Sequence, residues 1–219
     1  MEFSSCCPFW NSLTAIQQKK LLHAATLRKV AKGEILHNGS LDCLGLVLVR
    51  SGQIRAFIFS EEGREITLYR LFDRDICLFS ASCMLKNIQF EITVSAEKDS
   101  DVWIIPPDIF QTLREESIVV ANYINQLMAS RFSEVIWLIE QIMWKSMDQR
   151  LADFLYEECK IEGTYFLEIT HEKIANHMGT AREVVTRMLR YFQQEEMVRL
   201  TRGVIEIIDI KKVRKLQSK

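Results

Sequence analysis

The chain has 219 residues, of which 48% are hydrophobic and 26% charged, with a formal net charge of −1. That is enough apolar matter for one or two folded domains and too much for a disordered chain. The near-neutral charge excludes a uniformly basic nucleic-acid binder, so any such footprint must be local. No apolar run reaches the roughly 18 residues of a membrane span. The start, Met1-Glu2-Phe3-Ser4-Ser5-Cys6-Cys7, lacks the basic region of a secretory signal. A soluble cytoplasmic protein with no membrane partner is expected.

From about residue 30 to 105 the pattern is β. Residues 44–49 form an apolar run, Ser51-Gly52 a turn, and residues 54–60 a second strand. Glu61-Glu62-Gly63 turns the chain back into residues 65–71, and residues 92–94 and 102–105 repeat the theme. Many short strands with glycine turns predict an antiparallel sandwich or barrel. Pro106-Pro107 closes this region, and Asp108 is expected to cap a short helix over 109–113.

A helix is predicted over 117–147, which contains no Gly or Pro. Ala121, Ile124, Met128, Arg131, Val135, Leu138 and Ile142 step alternately by three and four, an a/d seam with one polar position. Phe132, Ile136, Ile139 and Met143 form a second stripe on another face. One stripe can meet a second copy of the chain while the other packs on the sheet, so a homodimer is expected, with the first stripe as its seam. A helix over 150–159, a loop at 161–163 and a short strand at 165–169 lead into the last region.

There Thr170 is an N-cap candidate with Lys173, not Glu, three residues on, so no full capping box is present. Counting from His171, Ile174 and Met178 bury a first helix, and Ala175 is small where two helices cross. Gly179 falls at a turn where positive φ costs glycine little. Val185 and Met188 anchor a second helix that begins near Ala181. Helix, glycine turn and helix at this spacing form a DNA-reading unit. The candidate DNA-facing residues are His171, Thr180, Arg182, Glu183, Thr186, Arg187 and Arg190. Arginine can bond guanine O6 and N7 together, and glutamate can accept from cytosine N4. Residues 198–200 and 204–207, joined by Thr201-Arg202-Gly203, predict a β-hairpin wing with Arg202 at its tip, suited to a backbone phosphate. Between 171 and 215 there are ten Lys/Arg against six Asp/Glu, a local basic excess.

Other chemistries find little support. His171 and His177 lie six apart, roughly 240° around a helix, and cannot share one metal from the same helix. The cysteines at 6, 7, 43, 77, 83 and 159 form no C-x-x-C pair and are expected to be buried small hydrophobes, with no metal site. No nucleophile–base pair or phosphate loop is visible, so an enzyme is not expected.

Residues 169–175 and the run Arg182-Glu-Val-Val-Thr-Arg187-Met-Leu-Arg190 resemble the recognition signature of the CRP/FNR family of bacterial regulators. Gly52, Glu62-Gly63 and Glu65 match its β-roll turns. The resemblance implies an α+β protein: a β-roll sensor (1–110), a long dimerisation helix (111–147) and a winged helix-turn-helix (148–219). It also implies double-stranded DNA and RNA polymerase as partners, and a half-site containing TGA. Its cyclic-nucleotide-binding members use Gly-Glu and Arg-Ser steps. Here Leu78-Phe79 and Phe90-Glu91 stand in those places, and Glu91 would repel a phosphate. Adjacent Cys6 and Cys7 suit an iron–sulfur cluster poorly, and the stretch from Cys77 to Cys83 lacks the His of haem-binding relatives. The effector pocket is expected around Cys77, Phe79, Cys83, Phe90 and Glu91, with a small-molecule effector and any cofactor left unassigned. A rival class stays open, a small-molecule or redox sensor whose DNA-binding part is vestigial.

Overall fold

The computed structural model describes residues 2–39, 44–78, 80 and 91–217. The chain packs as two units, Met1–Ile58 with Leu68–Val135, and Phe59–Thr67 with Ile136–Lys219.

In the first unit, α1 (Phe3–Cys6) and α2 (Ala15–Ala24) precede the strands. Thr14 caps α2 through a reciprocal pair of bonds with Gln17. The strands are β1 (Thr26–Val30), β2 (Ile35–Asn38), β3 (Leu46–Ser51), β4 (Ile54–Phe59), β5 (Glu65–Leu71), β6 (Ile76–Cys77), β7 (Thr93–Ala96) and β8 (Ser100–Ile105). They form two four-stranded sheets, ordered β1-β8-β3-β6 and β2-β7-β4-β5. This is the expected sandwich. Gly52 makes the β3–β4 turn at φ 106°, where a Cβ would stand 2.3 Å from Ser100 Oγ, so no larger residue fits.

The run 44–49 is apolar throughout because β3 is buried on both faces. Val47 and Val49 join Ile54, Leu71, Val94 and Val102 between the sheets. Leu46 and Leu48 face the other way, into a cluster with Phe3, Phe9, Phe110, Val120 and Ile124. Cys6, Cys7, Cys77 and Cys159 are buried thiols, as expected of small hydrophobes. Burial pushes the Cys7 thiol up to about 12, and burial and then Glu158 push Cys159 up to about 11.

Helix α3 runs Pro107–Glu116. Asp108 is not its cap: Pro106 takes that position with Pro107 opening the helix, and Asp108 sits in the first turn, where a carboxylate suits the helix dipole. Helix α4 runs Ile118–Trp144, and α5 runs Met147–Glu162. The expected continuation to 147 is broken because Ser146 and Gln149 form a capping box that starts a new helix. Helix α5 outruns its expected end at 159 and stops at Gly163, which is left-handed. Among the described residues no helix is long and apolar enough to cross a membrane.

The second unit contains α5, β9 (Phe166–Leu167), α6 (His171–Met178), α7 (Arg182–Gln194), β10 (Val198–Thr201), β11 (Val204–Ile207) and α8 (Ile210–Gln217). Strand β11 pairs antiparallel with both β10 and β9. The expected strand over 165–169 is only the two residues of β9. Leu151, Leu155, Ile174, Val185, Leu189, Phe192, Ile205 and Val213 build one core under all these elements. The tip Phe59–Thr67 belongs to this unit: Ile66 bridges Met178, and Thr67 Oγ1 lies 2.9 Å from His177 Nδ1.

Candidate nucleic-acid interface

Helix α6 starts where Thr170 accepts the Lys173 N–H at 3.1 Å. Gly179 ends it in the left-handed region, φ 65° and ψ 38°, and the Thr180 N–H returns to the Ala175 carbonyl at 3.1 Å. This is the tight turn expected from the sequence; it uses the Thr180 backbone N–H, and the Thr180 side chain is half-buried beside it. The chain leaves the turn extended at Ala181 and enters α7 without a side-chain cap. Val185, Leu189 and Phe192 then bury one face of α7 against Ile174, Ala175 and Met178.

The opposite face is laid out by the same period. Arg182, Glu183, Arg187 and Arg190 are exposed, Thr186 is half-buried, and these five share one shallow concavity with Tyr191 and Gln194. Tyr191 and Gln194 were not among the expected residues, although they continue the face by one turn from Arg187 and Arg190. A helix face carrying three arginines and a carboxylate suits the donor and acceptor pattern of a major groove.

His171 is held within this surface. Its Nδ1 lies 2.9 Å from Thr186 Oγ1, which itself lies 2.9 Å from the Arg182 carbonyl. Burial, and then the charges of Arg182 and Arg190, lower the His171 pKa below its ordinary value and so favour the neutral ring. His177 is buried and turned to Thr67. The two histidines thus have separate partners, consistent with the angle between them.

The wing follows the expected hairpin. Thr201 pairs with Val204, and Arg202 and Gly203 form the exposed tip. At the base Arg199 pairs with Glu206 at 2.8 Å, leaving that arginine engaged within the wing. A cleft between the wing and the start of α6 is lined by Thr170, His171, Glu172, Arg182, Thr201 and Gly203. The local basic excess sits chiefly on α8, which carries Lys211, Lys212, Arg214 and Lys215. Arg214 packs over Tyr156, and Lys212 Nζ bonds the Glu195 carbonyl at 2.9 Å.

On α4, much of the expected seam turns inward. Ile124 is 3% exposed in the first unit's core, and Met128 packs against it. Arg131 lies over the Tyr69 ring at 4.6 Å and pairs with Glu134 at 2.8 Å, its side chain 11% exposed. Ala121, Val135 and Leu138 are half-buried, and Ile142 is exposed. The open apolar stripe is the other one: Phe132, Ile136, Ile139 and Met143, at 68, 41, 44 and 64%. Burial, with Cys77 next, raises the Tyr69 hydroxyl well above its usual range. Of the expected effector residues, Cys77 is fully buried in the sandwich and Glu91 is exposed beside Gly39. Phe79, Cys83 and Phe90 lie outside the described residues.

Comparison with known proteins agrees with this layout. Residues 149–216 match a family described as the Crp-like helix-turn-helix domain, and residues 27–117 match the cyclic nucleotide-binding domain. Regulatory protein HlyX of Actinobacillus pleuropneumoniae is 26% identical over 88% of this chain and 82% of its own. The cyclic AMP receptor protein of Thermus thermophilus is 27% identical over 79% of each chain. A crystal structure from Eubacterium rectale, assigned to the CRP/FNR family of transcriptional regulators, is 58% identical with a TM-score of 0.95. It covers 98% of this chain and 100% of its own.

Proposed function

The chain belongs to the CRP/FNR family of DNA-binding transcription regulators, not enzymes, and we propose that it acts as a homodimer on a near-palindromic site in the cytoplasm. The observation that carries this reading is the outward face of α7, where Arg182, Glu183, Thr186, Arg187 and Arg190 stand together over a continuous apolar anchor. Each α7 enters one major groove, and the two half-sites lie about one helical turn, 34–36 Å, apart. Arg182, Glu183 and Arg187 discriminate bases, and Arg202 on the wing holds a backbone phosphate. The Arg-Glu-x-x-x-Arg spacing supports a half-site containing TGA, and family membership supports RNA polymerase as the downstream partner.

The two copies join through α4. We place the contact on Phe132, Ile136, Ile139 and Met143, the stripe that a single chain leaves open, flanked by Val135, Leu138 and Ile142. An effector acting on the β sandwich alters this spine and so the separation of the two reading helices. That effector is not a cyclic nucleotide. One relative is named for cyclic AMP, but Phe79, Phe90 and Glu91 stand in this chain where that chemistry needs a ribose acceptor and a phosphate cation.

Selection of bound sites from randomised duplex DNA tests the reading. The expected product is an inverted repeat whose half-sites contain TGA. Enrichment of a single unrepeated half-site would remove the dimer, and no enrichment would remove sequence reading.

A further inference from the structure

We propose that His171 is a positioning residue that turns the Thr186 hydroxyl inward, so that the Thr186 methyl faces the bases and selects a thymine. This rests on α7 being the groove helix. The hydroxyl has one hydrogen and two neighbours, the Arg182 carbonyl and His171 Nδ1, each at 2.9 Å. A carbonyl only accepts, so the Thr186 hydrogen goes to Arg182. The hydroxyl oxygen then accepts, and Nδ1 is the nitrogen of His171 that carries hydrogen. Its donor and one of its two acceptor positions are committed within the protein, and with the hydroxyl held inward by both bonds Cγ2 is the group Thr186 turns outward.

Thr186 nevertheless keeps a share of the concavity formed by Arg182, Glu183, Arg187 and Arg190. Among those charged side chains a methyl is the odd member, and it is useful against one edge. In the major groove only thymine presents a methyl group. His171 matters because a helical threonine divides between two rotamers when only its own backbone holds the hydroxyl. The second bond, from a separate helix 15 residues earlier, selects one.

The test uses the full-length protein and a duplex from site selection. Each thymine is replaced in turn by deoxyuridine, which lacks the methyl, and affinity is read by fluorescence anisotropy. The parent protein should lose about fourfold at one thymine per half-site, the effect of one buried methyl. Thr186→Ser keeps both hydrogen bonds without the methyl and should be indifferent to the swap. Thr186→Val keeps a methyl without the hydroxyl and should remain sensitive. His171→Ala should lose most of the sensitivity, and His171→Asn, which restores a donor near the Nδ1 position, should regain it. Specific binding with no thymine sensitive to demethylation, or sensitivity that survives in Thr186→Ser, overturns the inference and leaves the groove assignment standing. Failure of the parent protein to prefer any sequence overturns both.

Discussion

Gly163 and Gly179 end α5 and α6 at almost the same backbone angles, φ 67° and ψ 20° against φ 65° and ψ 38°. Their surroundings differ. A Cβ built on Gly163 meets nothing within 4 Å. One built on Gly179 meets Ile66 Cδ1 at 2.8 Å, with Cγ1 and Cβ of the same residue at 3.1 Å. Alanine in the left-handed region costs about 1–2 kcal/mol, offset in part by about 0.4–1 kcal/mol from a less free unfolded chain. Gly163→Ala should therefore cost about 1 kcal/mol. Gly179→Ala bears the same backbone cost plus overpacking of about 1–3 kcal/mol. The Ile66 backbone is bridged to Met178, so its Cβ is held in place and only Cδ1 can turn away. Urea unfolding followed by far-ultraviolet circular dichroism separates the two. With a slope of about 2 kcal/mol/M, Gly179→Ala should unfold about 1 M earlier than Gly163→Ala at equal slope. In an Ile66→Ala background, which removes Cδ1 and Cγ1 but keeps Cβ at 3.1 Å, the gap should narrow. Equal midpoints for the two alanine variants in the parent background would mean that Ile66 is not seated on the turn.

Phe132→Asp or Ile139→Asp, on the open stripe of α4, should convert a dimer into a monomer of 25.6 kDa in sedimentation, whereas Arg131→Ala should keep the dimer. Monomers from Arg131→Ala alone would return the seam to the inward stripe. Arg187→Ala should cost about 1–3 kcal/mol and relax preference at one base pair. Arg202→Ala should instead weaken all sequences alike and reduce the log–log salt slope by about 0.9 per lost phosphate contact; titrations across ionic strength distinguish the two. Calorimetry with millimolar cyclic AMP should give no specific heat, and micromolar affinity would contradict the sensor assignment.

The helix-turn-helix was legible because its signals are local. Thr170, Ile174, Ala175, Gly179 and Val185 each state a short-range requirement, and all agree on one register. The sandwich was legible for the same reason, from glycine turns and strand-length apolar runs. The face of α4 was not. Two stripes share that helix, and periodicity alone cannot say which meets the chain's own core. Ile124 and Arg131 turned inward because Phe9, Phe110 and Tyr69, distant in sequence, are packed there. The break at Ser146 was readable in principle, since Ser146 and Gln149 have the spacing of a capping box, but an unbroken apolar rhythm masked it. The seating of Ile66 and Thr67 on α6 has no local signature; it joins residues 110 apart in the case of Thr67 and His177.

Hydroxyl-radical footprinting of the full-length protein on its selected site tests the central claim most directly. Two copies of α7 in successive major grooves should protect two dyad-related patches on one face of the duplex, about 10 base pairs apart centre to centre. A single patch, or protection without that spacing, would contradict a dimer that reads DNA through α7.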